Sequence, residues 1–213
     1  MPVNRTWKST VLGLPLLLLA GTAVPAQQPQ AADPTRNLTP VTDAMLRNPP
    51  PGDWLMWRRT YNAWGYSPLD QITKDNVKNL QVAWTWSMTN GPTEATPIVH
   101  DGVIYIFNYG NRIQALNGAT GDLIWEYKRD LPAKLITDAG NLSSRNMAIY
   151  EDKLIAATAD AHLIALDAKT GKVVWDNATA DWSKGWRHTS GPFVASGMIV
   201  QGMQGCGNAQ PGG

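Results

Sequence analysis

Short runs of apolar and β-branched residues, broken by Gly, Asn or Asp, dominate the chain from Thr96 onward. Val103-Ile104-Tyr105-Ile106-Phe107 and Leu154-Ile155-Ala156-Ala157 are two such runs. Arg112 to Leu116 and His162 to Leu166 follow them after turn residues, so each pair predicts a β-hairpin. Thr120-Gly121 and Thr170-Gly171 then supply a tight turn in which glycine is free to take positive φ, and the next strand ends in Trp125 or Trp175.

These patterns recur. Thr96 to Glu126 lies over Asn146 to Asp176 without a gap, and both copies contain Ala-Leu-X-X-X-Thr-Gly-X-X-X-Trp, beginning at Ala115 and Ala165. A period of about 50 residues with three or four short strands per copy predicts an all-β fold, one β-propeller blade per repeat. A third copy starts at Gly191 and runs to Val200. A partial blade is expected around Val82-Ala83-Trp84-Thr85-Trp86, which brings the chain to about three blades. A ring needs at least about four blades to close, so the chain reads as the N-terminal part of a longer propeller. At fixed spacing in a repeat, a Trp packs between neighbouring blades and gives its N–H to a backbone acceptor. The ten Trp are therefore expected to join blades rather than to form a binding cage.

Outside the repeats, Arg5 and Lys8 precede an apolar stretch, Val11 to Ala20, and a small-residue cleavage pattern, Ala23-Val24-Pro25-Ala26. This is the layout of a secretory signal peptide over residues 1–26, too short and Pro-interrupted for a spanning helix. It predicts an exported protein, periplasmic in a Gram-negative host. Residues 27–52 are Pro-, Gln- and Thr-rich and predict a flexible lead-in, with propeller expected over residues 53–213. Eighteen Lys and Arg against 17 Asp and Glu leave no field for nucleic acid. His162 and His188 read as surface or loop residues without a metal-site cluster. The single Cys206 is a buried free thiol or half of a disulfide.

Trp57-Arg58-Arg59-Thr60-Tyr61-Asn62-Ala63-Trp64-Gly65-Tyr66-Ser67-Pro68-Leu69-Asp70-Gln71-Ile72, then Asn76-Val77-Lys78-Asn79-Leu80 and Ala83-Trp84, resemble the opening of the quinoprotein alcohol dehydrogenases of the methanol/ethanol type. The two Thr-Gly-X-X-X-Trp segments resemble that family's tryptophan-docking motif. The resemblance covers nearly all of residues 53–213. It implies an eight-bladed propeller holding pyrroloquinoline quinone (PQQ) near its axis beside a calcium ion. It further implies oxidation of an alcohol, with electrons leaving to a cytochrome c or a quinone; peripheral membrane association is compatible with such an acceptor. The aspartate base of the family is expected beyond Gly213.

Residue by residue, Glu94 falls where the family places a glutamate hydrogen-bonded to the quinone, and Arg145 on an arginine that pairs with a PQQ carboxylate. Thr189 matches a cofactor-contacting threonine, and Gly205 and Cys206 a small-residue stretch close to the quinone plane. Without the resemblance Glu94 and Arg145 would read as solvated blade-edge charges, and Thr189 as turn chemistry. There are two departures. Ala139 and Gly140 stand where many members have adjacent cysteines, and Gly207 stands where a calcium-ligating glutamate is common. Gly205-Cys206-Gly207-Asn208 resembles a subgroup in which this Cys bonds another a few residues on, and Asn208 becomes a candidate calcium ligand. Two other readings are a non-catalytic propeller resembling an outer-membrane assembly scaffold, and a truncated product without function. The scaffold's usual lipid-anchoring Cys is absent, and the Trp57 to Ile72 opening is enzyme-like.

Overall fold

The apolar runs of the repeats become strands in the computed structural model, which describes residues 32–138, 142 and 145–205. Strands β1 (Ile98–His100), β2 (Val103–Asn108), β3 (Arg112–Asn117) and β4 (Leu123–Lys128) form an antiparallel meander. A second meander consists of β5 (Met147–Tyr150), β6 (Lys153–Ala157), β7 (His162–Asp167) and β8 (Val173–Ala178). β9 (Phe193–Ala195) and β10 (Met198–Val200) pair as the hairpin of a third unit. The copies agree in detail, since the ladder slips at Ala115/Leu116 in one sheet and at Ala165/Leu166 in the other. These sheets are blades of a β-propeller, two whole and one begun among the described residues.

Turn chemistry fixes the registers. Asp101 and Gly102 have φ of 46° and 80°, and Ser196 and Gly197 have 51° and 72°. Paired left-handed residues make the two-residue turns whose twist suits a hairpin.

The blades are joined through their tryptophans. Trp125 on β4 donates its Nε1–H to the Ala168 carbonyl of the next blade at 3.1 Å, and the buried Tyr105 hydroxyl donates to the same oxygen at 3.1 Å. The Trp125 ring covers Gly171, where a Cβ would sit 2.5 Å from it. Trp84 repeats the arrangement one blade earlier, donating to the Gly118 carbonyl at 3.1 Å and covering Gly121. The Thr-Gly glycines are thus required twice, by φ of 77° and 70° and by the indole face that takes the place of a side chain.

Three expectations differ from the structure. Val82 to Trp86 forms no strand, because none of the described residues supplies a backbone ladder for it, although Trp84 and Trp86 both dock on the first blade. The described part of the lead-in packs closely. It carries a 3-10 turn at Pro34–Asn37 and helix α1 (Asp43–Arg47), capped by Asp33 and Thr42. Leu38, Val41 and Leu46 are buried, Met45 packs half-buried against them, and Val41 and Glu151 exchange backbone hydrogen bonds of 2.8 and 2.7 Å. Low apolar content hid the fact that these few side chains all reach the core. Lastly, Trp57 and Trp64 are 52% and 78% exposed rather than packed between blades. The expected signal peptide, Trp7 included, lies outside the described residues.

Candidate cofactor site at the inner-strand rim

β1, β5 and β9 open their respective blades and lie side by side. The residues just ahead of them therefore gather on one rim: Glu94 ahead of β1, Arg145 ahead of β5 and Thr189 ahead of β9. Arg145 Nε lies 2.8 Å from Glu94 Oε2, with the side chains 54% and 40% exposed. The backbone supports this pair, because Thr96 N–H donates to the Arg145 carbonyl at 3.0 Å. The Glu94 loop is pinned further back by Gly91, whose φ of 138° brings it so close to Tyr109 that a Cβ would meet the ring at 2.4 Å. Thr189 is half-buried, and its segment abuts that of Arg145 where Gly191 packs on Asn146. A cleft of about 320 Å³ opens beside this junction, with Trp57, Tyr61, Asn146, Gly191 and Phe193 in its wall.

Gly205 is buried against the Trp186 ring with a φ of 152°. Cys206, Gly207 and Asn208, and the departures at Ala139 and Gly140, lie outside the described residues.

Between β4 and β5 the chain makes helix α2 (Ala133–Asp138), whose Leu135 is buried with Leu142 and Ala159 near Tyr109 and Trp182. Alongside, Arg129 crosses from the first blade to the second. Its Nε lies 2.9 Å from both Asp160 oxygens and its Nη1 2.8 Å from Asp176. Burial pushes the Asp176 carboxyl up, but its bonds to Arg129 and His162 outweigh this and hold it below the usual range.

The histidines depart from the sequence reading. His162 opens strand β7 and belongs to this ionic cluster, its Nδ1 2.6 Å from Asp176. His188 is 3% exposed, its Nε2 2.7 Å from the Thr179 hydroxyl and its Nδ1 3.2 Å from the Gly202 carbonyl. It fills the gap between the residue after β8 and the segment after β10, and burial lowers its pKa.

His100 is the residue that the sequence reading missed. It is fully buried, with Nδ1 2.8 Å from Asp53 Oδ2 and Nε2 2.8 Å from the Thr39 carbonyl and 3.3 Å from Asp101 Oδ2. A carbonyl only accepts, so Nε2 carries a proton, and the Asp53 carboxylate takes the other N–H. Burial opposes the resulting charge, yet the bonds to Asp53 and Thr39 and the nearby Asp101 outweigh it and raise the pKa. The donor atoms of Asp53, His100 and Asp101 lie within 4.8 Å of one another, as in a metal site, but both ring nitrogens are already engaged. A signal was present in the sequence. Alternation along β1 places His100 on the same face as buried Ile98, directly before the Asp101-Gly102 turn.

A family model described as "Glucose/ethanol/alcohol dehydrogenase, beta-propeller domain" matches residues 54–210, most of the chain. The chain belongs to this PQQ family. Among PQQ-family relatives, it is 39% identical over 156 residues to the quinohemoprotein alcohol dehydrogenase ADH IIB of Pseudomonas putida, covering 72% of this chain and 23% of that protein. It is 41% identical over 146 residues to the 1-butanol dehydrogenase (quinone) of Thauera butanivorans, covering 67% of this chain and 23% of that one. The solved quinohemoprotein alcohol dehydrogenase of Comamonas testosteroni superposes with a TM-score of 0.71 at 29% identity, over 82% of this chain and 27% of that one. A europium-containing methanol dehydrogenase superposes at 0.70 with 30% identity, over 76% of this chain and 29% of that one. The chain thus spans about a quarter of the length of these PQQ-family proteins.

Proposed function

We propose that this chain is the part of an exported quinoprotein alcohol dehydrogenase that cradles one edge of PQQ. The complete protein would oxidise an alcohol to an aldehyde or ketone with PQQ and Ca²⁺ and pass electrons to a cytochrome c or a quinone. Export rests on the signal-peptide pattern of residues 1–26. The observation that carries the reading is the pairing of Glu94 with Arg145 at the rim where the inner strands begin. A guanidinium that already donates to a carboxylate oxygen at 2.8 Å, and remains half-exposed, has the chemistry and the access to hold a carboxylate of the cofactor.

When bound, PQQ supplies the two-electron acceptor, and the calcium ion supplies Lewis-acid polarisation of its carbonyl. The protein's own residues position it. Arg145 would hold a carboxylate through its planar fork, and Glu94 would keep that fork in orientation while accepting a hydrogen bond from the quinone system. Thr189 would offer its hydroxyl from the third blade, and Gly205 and Cys206 would let the backbone approach the ring plane.

Equilibrium titration of the complete apoprotein with PQQ tests this reading. Arg145→Ala is expected to raise the PQQ Kd at least about tenfold, because a charge-assisted bond is lost. Its unfolding free energy should fall by no more than about 1 kcal/mol, since an exposed pair contributes little to stability. Unchanged affinity in Arg145→Ala and Glu94→Ala would remove both residues from the site.

A further inference from the structure

We infer that Gly191 is a positioning residue for Arg145, and that its missing side chain sets the spacing between the cofactor-facing segments of the second and third blades. The inference rests on the reading of Arg145 and Thr189 as PQQ contacts. A Cβ placed on Gly191 would lie 2.2 Å from the Asn146 carbonyl oxygen and 2.4 Å from the Asn146 carbonyl carbon and Cβ. No real Cβ approaches backbone that closely, and a backbone carbonyl cannot rotate away as a side chain can, so the segments would have to part by about 1 Å.

The place of this contact gives it a function. Asn146 directly follows Arg145, and Gly191 stands two positions after Thr189. On its other side the Arg145 backbone is held by the Thr96 amide at 3.0 Å, next to the loop that carries Glu94. The Arg145-Asn146 dipeptide is thus fixed between the first blade, through a hydrogen bond, and the third, through a contact that only glycine allows. Pro192, buried beside Gly191, restricts the same segment. A side chain at Gly191 would move the guanidinium relative to both Glu94 and Thr189, and a displacement of about 1 Å takes a hydrogen bond out of its working range of distance.

The test compares two glycine variants of the complete protein by PQQ titration of the apoprotein and by thermal unfolding. Gly121→Ala also collides, at 2.6 Å, but with the Trp84 ring in the blade-docking turn. Both variants are expected to lower Tm. Only Gly191→Ala should weaken PQQ binding, by up to about tenfold, approaching the loss in Arg145→Ala. A Gly191→Ala protein that loses Tm as Gly121→Ala does but keeps the wild-type Kd would overturn the inference while leaving the cofactor reading intact. Absence of PQQ binding by the wild type would overturn both. If Gly191→Ala does not fold, Pro192→Gly loosens the same junction without adding an atom. It is expected to raise the Kd about threefold, and an unchanged value would count against the inference.

Discussion

His100 and His188 are both buried and lean in opposite directions. His100 has its pKa raised above 6.5 because its contacts with Asp53, Thr39 and Asp101 outweigh burial, and His188 has its pKa lowered because burial dominates. A raised folded pKa gives stability that is complete below about 6.5 and lost as pH climbs through the folded value. A lowered one leaves the protein fully stable above about 6.5 and costs stability as pH falls through the folded value. Tm is therefore expected to peak near pH 6.5. His100→Asn should flatten the alkaline limb and His188→Gln the acidic limb above the carboxylate range, as thermal scans from pH 4.5 to 9 would show. A Tm profile that kept both limbs in both variants would contradict these assignments. Alternation along β1 could have announced the burial of His100 but not its partners Asp53 and Thr39, which are 47 and 61 residues away. Glu94 and Arg145 were singled out by the family resemblance, and their meeting at one rim follows from the repeat. They stand about one repeat apart, so any scheme that superposes the blades brings them to the same rim.

Between blades, the joint is a small set of contacts around one carbonyl. The Ala168 oxygen receives both Trp125 Nε1–H and Tyr105 O–H, and the two rings touch at a centroid separation of 5.9 Å. Removing one donor leaves the oxygen satisfied, so Tyr105→Phe should cost about 1 kcal/mol and Trp125→Phe about 1–2. The double variant strands a buried carbonyl and is expected to cost roughly 1 kcal/mol more than the sum, read from a double-mutant cycle in denaturant. Strict additivity would mean that water reaches the joint. In the docking turn, Gly171→Ala should cost about 3 kcal/mol through both its φ of 70° and the Trp125 ring, whereas Gly52→Ala, with nothing within 4 Å, should be nearly neutral. Thr-Gly-X-X-X-Trp was readable because every part of it is local: a turn, a strand and a fixed distance. Val82 to Trp86 was misread because its strand character depends on a ladder partner, which local pattern cannot supply.

Across the whole molecule, the two ends of the inner strands do different work. Glu94 and Arg145 precede β1 and β5, while His100 closes β1 at the far end, where Thr39 and Asp53 tie the first described segment to the blade. Sequence reading placed the blades because repetition is a global signal. It missed the packing of residues 33–48, where Leu38, Val41 and Leu46 are too few to register as periodicity yet are all buried. Removal of divalent cations from the complete protein is expected to abolish alcohol oxidation reversibly, because Lewis-acid polarisation would be lost. Turnover that survives chelation would exclude calcium from the reaction. The most direct test of the central claim is alcohol-dependent dye reduction by the complete protein, purified without cofactor and then supplied with PQQ and Ca²⁺. Activity is expected to appear only on reconstitution, to saturate near one PQQ per chain and to fall at least about tenfold at subsaturating PQQ in Arg145→Ala. A folded protein that takes up no PQQ, or that oxidises no alcohol when loaded, would contradict the claim.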